Sequence, residues 1–252
     1  MESLSNILLQ FAPISLQEMD GVSLMNRTDT KFVLSLSQLT EILHTLSGHY
    51  RVLEIQGVRS NSYETLYYDT PDFYFYYRHH SGKRNRYKIR KRRYVESNLT
   101  FLEVKFKTNK DRTVKDRTKL QLLNEGLDDF SKNFIEDETH LGLSFEPKLW
   151  NQFKRITLVN EALPERLTID LDLNFHFESR NVELKNVVIA EVKQQNQNRY
   201  SPFMIEVKKR LIRPESVSKY CVGAAMLYPE IKSNNFKSKI LKIKKIANGM
   251  VA

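Results

Sequence analysis

Basic residues alternate along one stretch of the chain in a way that could hold a polyanion. The segment at 84–94 reads RNRYKIRKRRY and carries a basic side chain at every second position. Successive side chains of a β-strand point to opposite faces, so this spacing places the basic groups together. Tyr87 and Ile89 between them are good strand formers. The predicted face could bind phosphate oxygens or simply face solvent, and it consists of Arg86, Lys88, Arg90 and Arg92.

Three Glu-Val-Lys triads could combine a metal ligand with a phosphate ligand. On a strand, residues i and i+2 place a carboxylate and an ammonium group side by side. The carboxylate is a hard ligand for Mg²⁺ or Mn²⁺, and the ammonium group can contact phosphate oxygens that the same metal bridges. A cross-strand ion pair is the commoner use of any single triad. The triads lie at 103–105, 191–193 and 206–208.

The residues that flank the triads separate them into two kinds. TFLEVKFKT at 100–108 and VVIAEVK at 187–193 alternate apolar and polar residues, which predicts strands. The third triad follows Ser201-Pro202, an N-cap and first-turn pair, and apolar residues then recur about every four positions. We therefore expect the first two triads on strands and Glu206 on a helix, in solvent.

The elements that must position these residues are mostly strands. Alternation predicts strands at 31–35, 51–56, 63–69, 84–95, 100–107, 112–118, 151–159, 166–177 and 184–193. Helical spacing predicts a helix at 37–47, with Ser37 as its N-cap and Gly48 after its end, and another at 202–212. Residues 1–25 form an apolar N-terminal segment, and 234–252 form a basic C-terminal helix or tail.

The clearest strand, RLTIDLDLNFHF at 166–177, has one apolar face and one polar face. Its odd-numbered residues from Leu167 to Phe177 are apolar, whereas Arg166 and Asp170 lie on the polar face. A face that mixes acidic and basic groups suits a site for a polyphosphate and a divalent cation better than a nucleic-acid surface.

Several basic faces would produce a strongly cationic interior if one sheet turned them inward. Desolvating many like charges without an anion is prohibitive, so such an interior must stay hydrated and bind polyanions. The sequence therefore predicts an α+β fold with a closed or nearly closed antiparallel β-barrel tunnel and flanking helices, organised as a single domain over 1–252.

Composition narrows the class of partner and the cellular setting. The chain has 252 residues, a formal net charge of +10 and a pI near 9.5, which indicates an anionic partner. Cys221 is the single cysteine, so no intramolecular disulfide can form. No signal-peptide pattern and no apolar run of roughly 20 residues is present, so we expect a cytoplasmic protein without a transmembrane segment. The pair His79-His80 has no zinc-site spacing and is assigned, with FYFYY at 73–77, to surface or packing.

The motifs, taken in order, resemble the VTC domain. This is the polyphosphate polymerase catalytic domain of the vacuolar transporter chaperone complex, within the CYTH and triphosphate tunnel metalloenzyme superfamily. Each motif is short, but their order and their coverage of nearly the whole chain carry the resemblance. The matching segments are NRTDTKFVL (26–34), LYYDTPDFYFYY (66–77), KIRKR (88–92), LEVK (102–105), TVKDR (113–117), FKRIT (153–157), RLTID (166–170), AEVK (190–193) and SKY (218–220).

The resemblance implies metal-dependent phosphoryl transfer from ATP to a growing inorganic polyphosphate chain inside a cationic tunnel. It implies Glu191 as the ligand of Mn²⁺ or Mg²⁺. Asn26 and Phe153 depart from the pattern, since an acidic residue and a tyrosine are expected there. Catalytic roles are implied for Arg90, Arg92, Lys105, Arg155 and Arg166. Phosphate-binding roles are implied for Arg27, Lys31, Lys88, Lys115, Arg117, Lys193 and Lys219.

Two other functions stay open on the sequence. The same tunnel could hydrolyse inorganic or organic triphosphates, with water as the acceptor in place of a phosphate chain. Alternatively, the domain could bind polyphosphate without catalysis. A nucleic-acid module is disfavoured because Glu103, Asp170 and Glu191 interrupt the basic faces and would repel a nucleic-acid backbone. The expected partners are therefore ATP and polyphosphate or triphosphate.

Overall fold

The computed structural model describes residues 3–20, 28–110 and 112–250. Asn26 and Arg27, which the sequence analysis singled out, lie outside the described residues. Within the described ranges, no helix combines the length and the apolar character needed to cross a membrane.

Strands make up most of the regular structure. The strands are β1 (Ala12–Ile14), β2 (Thr28–Ser35), β3 (Tyr50–Leu53), β4 (Asn61–Asp69), β5 (Arg86–Tyr94), β6 (Leu99–Lys107), β7 (Thr113–Leu120), β8 (Glu146–Asn160), β9 (Glu165–Phe177), β10 (Arg180–Leu184) and β11 (Val187–Gln194). The helices are α1 (Leu4–Leu9), α2 (Leu16–Asp20), α3 (Leu36–Leu46), α4 (Tyr74–His80), α5 (Asp129–Thr139), α6 (Pro202–Lys209), α7 (Lys219–Leu227) and α8 (Lys237–Ala247), with a 3₁₀ turn at Asn234–Phe236.

One large sheet dominates the fold. Its strand order is β2-β11-β9-β8-β4-β5-β6-β7, with every neighbouring pair antiparallel, while β3 pairs with β8 and β10 with β9. Residues of β2 and of β5 to β7 line one common cavity although they lie far apart in this order, so the sheet is strongly curved. The predicted α+β fold with an antiparallel sheet is confirmed.

The sheet does not close into a barrel, which corrects that part of the prediction. Within the described residues, β2 and β7 end the strand order and do not pair with each other. Lys31 lies on β2, and Lys115 and Arg117 lie on β7, so basic residues occupy both open edges. Charged side chains on an edge strand disfavour pairing with a further strand.

Among the described residues, three large apolar clusters hold the sheet and helices together, beside a small fourth cluster around Ile14. One packs α1, α3 and α6 against the convex side of β2, β8, β9 and β11, and includes Leu39, Ile156 and Phe203. A second packs α5 and α4 on the outer face of β4 to β6. The third places α7 and α8 against one end of the concave face of the sheet. We call the space along this concave face the groove, and these helices cover one end of it.

β9 changes faces at Asp172, contrary to the predicted continuous apolar face. The β8–β9 register shifts between Gln152 and Lys154, and Asp172 has a φ of 53°, as in a β-bulge. Leu171 therefore packs with the α3 cluster, whereas Phe175 packs against α7 on the other side.

Local hydrogen bonds correct two further predictions. α3 begins one residue earlier than predicted because Ser35, not Ser37, is the N-cap. The Ser35 hydroxyl accepts from the Gln38 amide at 3.2 Å, and Gln38 Oε1 accepts from the Ser35 amide at 2.9 Å. Glu206 is on a helix as predicted but is 7% exposed rather than in solvent. It is paired with Lys209 at 2.8 Å and with Arg210, and these ion pairs offset the cost of its burial.

Candidate functional site

Strand register places the predicted basic residues on the concave face of the sheet. Side chains of directly paired residues share a face. The register pairs Lys88 of β5 with Lys105 of β6, and it pairs Lys31 of β2 with Glu191 of the neighbouring β11. Lys219 joins from the first turn of α7. By the same pairing, the concave face carries Lys31, Lys88, Arg90, Arg92, Lys105, Lys115, Arg117, Arg155, Arg166, Glu191 and Lys193.

Asp170 fixes two of these cations. Arg155 donates to both carboxylate oxygens, from Nε at 2.6 Å and from Nη2 at 2.8 Å, and Lys219 donates to Oδ2. Burial alone would raise the pKa of Asp170, but the charges of Arg155 and Lys219 outweigh it and hold the pKa well below its usual range. Asp170 therefore stays ionised and orients both cations.

Glu103 fixes two further cations, on the other wall of the groove. Its buried carboxylate accepts from Arg90 Nε at 2.6 Å and forms an ion pair with Lys115. Burial opposes ionisation, yet Arg90, Arg92 and Lys115 together keep the pKa of Glu103 far below its ordinary value. This carboxylate acts as a fixed counter-charge.

Glu191 is held between two lysines. Lys31 lies 2.9 Å from Oε1, and Lys193 contacts Oε2. Their charges outweigh partial burial and lower the pKa of Glu191 strongly. Glu191 and Lys193 thus form an ion pair within one strand, and Lys31 of β2 adds the cross-strand ion pair that is the commoner use of such a triad.

Lys88 and Lys105 lack such a counter-charge. Within the described part of the chain, no carboxylate forms an ion pair with either lysine. Burial, with the nearby charges of Lys31 and other basic groups, lowers the pKa of Lys88 to about 8 and that of Lys105 to about 7. An anion placed between them would relieve this unfavourable charge, so the two lysines mark where a polyanion is best stabilised.

The basic cavity, as we call the space lined by Lys31, Lys88 and Lys105, has a volume of about 640 Å³. Two of its basic or imidazole groups, His79 and Lys107, were not predicted from the sequence. The backbone segment that forms another wall was not predicted either. The remaining lining residues are Thr28, Asp29, Thr30, Arg86, Thr113 and Pro214 to Ser218.

Aromatic rings support the cations deeper in the groove. Tyr63 and Phe153 stack with their centroids 5.1 Å apart, and the Arg155 guanidinium lies 5.0 Å from the Tyr63 ring. Arg92 lies 5.8 Å from the Phe153 centroid and Lys219 lies 4.6 Å from it. Phe153, a departure from the expected tyrosine, therefore offers a ring face to three cations instead of a hydroxyl group.

The remaining predicted residues occupy the edges of the site. Arg166 Nη2 donates to the Met19 carbonyl at 3.4 Å, near one end of the groove. Arg117 is exposed on the edge strand and lies 4.7 Å over the Phe101 ring. Tyr67 was missed, although its place on alternate positions of β4 could have indicated it. Burial would raise the pKa of Tyr67, but Arg90 and other nearby cations lower it.

The pair His79-His80 separates in the structure. His80 is buried and packs against Phe236, as predicted. His79 instead lines the basic cavity, which the assignment to surface or packing did not anticipate.

A divalent metal fits this site only together with its phosphate ligand. Within the described ranges, no group of three His, Cys, Asp or Glu side chains could hold a metal ion. Glu191 can supply one carboxylate oxygen, and phosphate oxygens and water would have to supply the rest. Mg²⁺ is commonly bound in this way.

The comparisons with known proteins agree with the sequence resemblance. The VTC domain family matches residues 26–228 of the chain. No curated protein matches it.

Solved structures with similar folds are distant in sequence. An adenylate cyclase candidate from Bacillus halodurans is 11% identical, with 77% of this chain and 96% of that chain covered and a TM-score of 0.49. A Hippeastrum adenylyl cyclase candidate, described as having a dominant triphosphatase activity, is 14% identical over 80% and 96% of the chains, with a TM-score of 0.48. A conserved hypothetical protein from Pyrococcus furiosus is 15% identical over 78% and 99%, with a TM-score of 0.41.

Proposed function

Because the chain belongs to the VTC domain family, we propose that it catalyses metal-dependent transfer of a phosphoryl group from ATP to a growing polyphosphate chain. Family membership supports an enzyme of the triphosphate tunnel type. The observation that carries the proposal is the pair Lys88 and Lys105, two partly buried lysines without a counter-charge that line the basic cavity.

Phosphoryl transfer does not require a protein side chain to form a covalent bond with the substrate. Its acceleration comes mainly from positioning and from neutralising charge on the phosphate oxygens. Arg155 and Arg90 suit this task because Asp170 and Glu103 already fix their orientation, so little side-chain entropy remains to be lost.

We assign the lysines of the basic cavity to the phosphate chain and the paired arginines to the reacting phosphoryl group. Lys31, Lys88 and Lys105 line the basic cavity, where successive phosphates would lie. Arg92 is 6% exposed and donates from Nε to Thr65 Oγ1 at 3.1 Å, so its position is also fixed.

Glu191 is the residue we assign to the divalent cation. A bound cation would neutralise part of the charge on the phosphate oxygens. Lys31 and Lys193, which hold Glu191, are then close enough to donate to the same oxygens. Glu191→Gln keeps the shape of the side chain and removes its charge.

The proposal is tested by incubating the purified protein with ATP and Mn²⁺ and then separating the products on a gel. Long polyphosphate chains are the expected product, and Glu191→Gln should abolish their metal-dependent formation. Lys185→Ala, which changes an exposed lysine outside the groove, is the matched control. Full activity of Glu191→Gln would refute the metal assignment.

Triphosphate hydrolysis is the second function that a specific observation favours. The sheet is open between β2 and β7 among the described residues, so water can reach the basic cavity from that side. The same incubation separates the two activities, because free phosphate without long chains indicates hydrolysis.

A further inference from the structure

His79 is the one imidazole that lines the basic cavity among the described residues. It lies on α4, whose first turn is anchored by Asp69: Oδ1 accepts from the Phe75 amide at 2.8 Å and Oδ2 from the Tyr76 amide at 2.9 Å. Its ring packs edge-on against Phe236, with centroids 5.9 Å apart. The backbone and the ring are therefore both held in place.

The two ring nitrogens of His79 have different surroundings. Nδ1 is buried and has no hydrogen-bond partner among the described residues. Nε2 is not among these buried, unpartnered atoms, and His79 lines the basic cavity, so we take Nε2 as the nitrogen that meets a ligand there.

Cations surround the ring from three elements. Arg86 and Lys88 come from β5, Lys107 from β6 and Lys239 from α8. Burial, together with these charges, lowers the pKa of His79 to about 2, so the imidazole is neutral in the protein alone. Glu215, which lines the same cavity, is engaged by Lys242 at 3.0 Å.

We propose that Nε2 of His79 is a ligand of the phosphate chain, and that the imidazole takes up a proton when the chain fills the basic cavity. The inference rests on the proposed function, since it needs a phosphate chain in this cavity. The chain's negative charge would offset the four cations, and the proton would come from solvent. The imidazolium would then donate a charge-assisted hydrogen bond from Nε2 to a phosphate oxygen.

Proton uptake on binding measures this directly. Inorganic triphosphate is titrated into the protein by calorimetry at about pH 5.5 in two buffers of different ionisation enthalpy, with chelator present so that no turnover occurs. At this pH Lys88 and Lys105 are already charged, because their pKa values are about 8 and 7. The wild-type protein should take up about one proton more per triphosphate than His79→Gln does.

Subtracting the variant from the wild type removes the protons exchanged by triphosphate itself. His176→Gln, which changes a histidine that stacks on Trp150 outside the cavity, should behave like the wild type. Should His79→Gln fail to fold, the wild-type His79 ring resonances replace it as the readout. They should move from the neutral to the protonated position when triphosphate is added.

The outcomes separate the two proposals. Tight triphosphate binding with the same proton uptake in wild type and His79→Gln, or with no change in the His79 resonances, overturns the role of His79 and leaves the proposed function intact. Absence of triphosphate binding to the wild-type protein overturns both.

Discussion

At the scale of single residues, the groove contains two kinds of basic side chain. Arg90, Arg155 and Lys219 are fixed by buried carboxylates, whereas Lys88 and Lys105 form no ion pair with a carboxylate within the described chain. The first kind is already stabilised and offers orientation. The second kind carries unrelieved charge, so it gains most from a bound anion.

The pH dependence of triphosphate affinity follows from the unpaired lysines. In the free protein Lys105 and Lys88 lose their protons at pH values near 7 and 8, below the ordinary 10.5. A bound anion favours the charged forms and raises both pKa values, so binding takes up protons above pH 7. We expect the dissociation constant to rise steadily from pH 6.5 to 9, as measured by calorimetry. A flat profile would show that these lysines do not meet the ligand.

Lys105→Met should stabilise the free protein while weakening triphosphate binding. A lysine whose folded pKa is lowered opposes folding at low pH, and this cost disappears as the pH rises towards the unfolded value. We expect the free energy of unfolding to increase by about 1 kcal/mol near pH 6, and by less near pH 9. Urea denaturation at both pH values measures the change.

Lys185→Met serves as the control for Lys105→Met, since that lysine is exposed and should change neither stability nor its pH dependence by much. A loss of stability in Lys105→Met would mean that the packing of its aliphatic chain outweighs the cost of its charge.

Residue identity and spacing were enough to predict which side chains share the groove. Alternation along β5, β6 and β11 fixes their common face, and the strand register in the structure agrees. The pairing of each cation could not be predicted, because Lys31 meets Glu191 and Lys219 meets Asp170 only through the fold. His79 was missed for a related reason: its helical neighbours give no sign of what lies across the cavity.

At the scale of elements, α7 is the helix that brings Lys219 into the groove. Its sequence, KYCVGAAML, is apolar almost all round because the helix is buried, so no helical periodicity was available to predict it. The bulge at Asp172 was equally hidden, because the apolar alternation of β9 continues through it while the buried face changes.

Gly223 allows α7 to approach β9 closely. A Cβ atom at this position would lie 2.6 Å from Cδ1 of Phe175, which is fully buried. We expect Gly223→Ala to lower the free energy of unfolding by about 1–3 kcal/mol and to weaken triphosphate binding by displacing Lys219. Chemical denaturation and calorimetry measure the two effects.

Gly126→Ala is the matched control, because nothing lies within 4 Å of the Cβ that it would add. It should leave stability and triphosphate binding nearly unchanged. If Gly223→Ala also left stability and triphosphate binding unchanged, the close packing of α7 against Phe175 would not be what positions Lys219.

At the scale of the whole molecule, the curvature of the sheet brings basic residues from several strands around one cavity. The net charge of +10 indicates an anionic partner but no location for it. The location follows from β2 and β5 to β7 facing one another across a space of about 640 Å³.

The central claim is that a phosphate chain binds in the basic cavity. The most direct test is a calorimetric measurement, at pH 7, of how tightly the Lys88→Met/Lys105→Met double variant binds inorganic triphosphate. We predict a loss on the order of a hundredfold, since a hydrogen bond to a charged group is worth about 1.5–3 kcal/mol. A Lys185→Met/Lys208→Met variant also removes two lysines, both outside the cavity, and should lose much less. Equal losses in the two variants, or none in the first, would contradict the claim that a phosphate chain binds in the basic cavity.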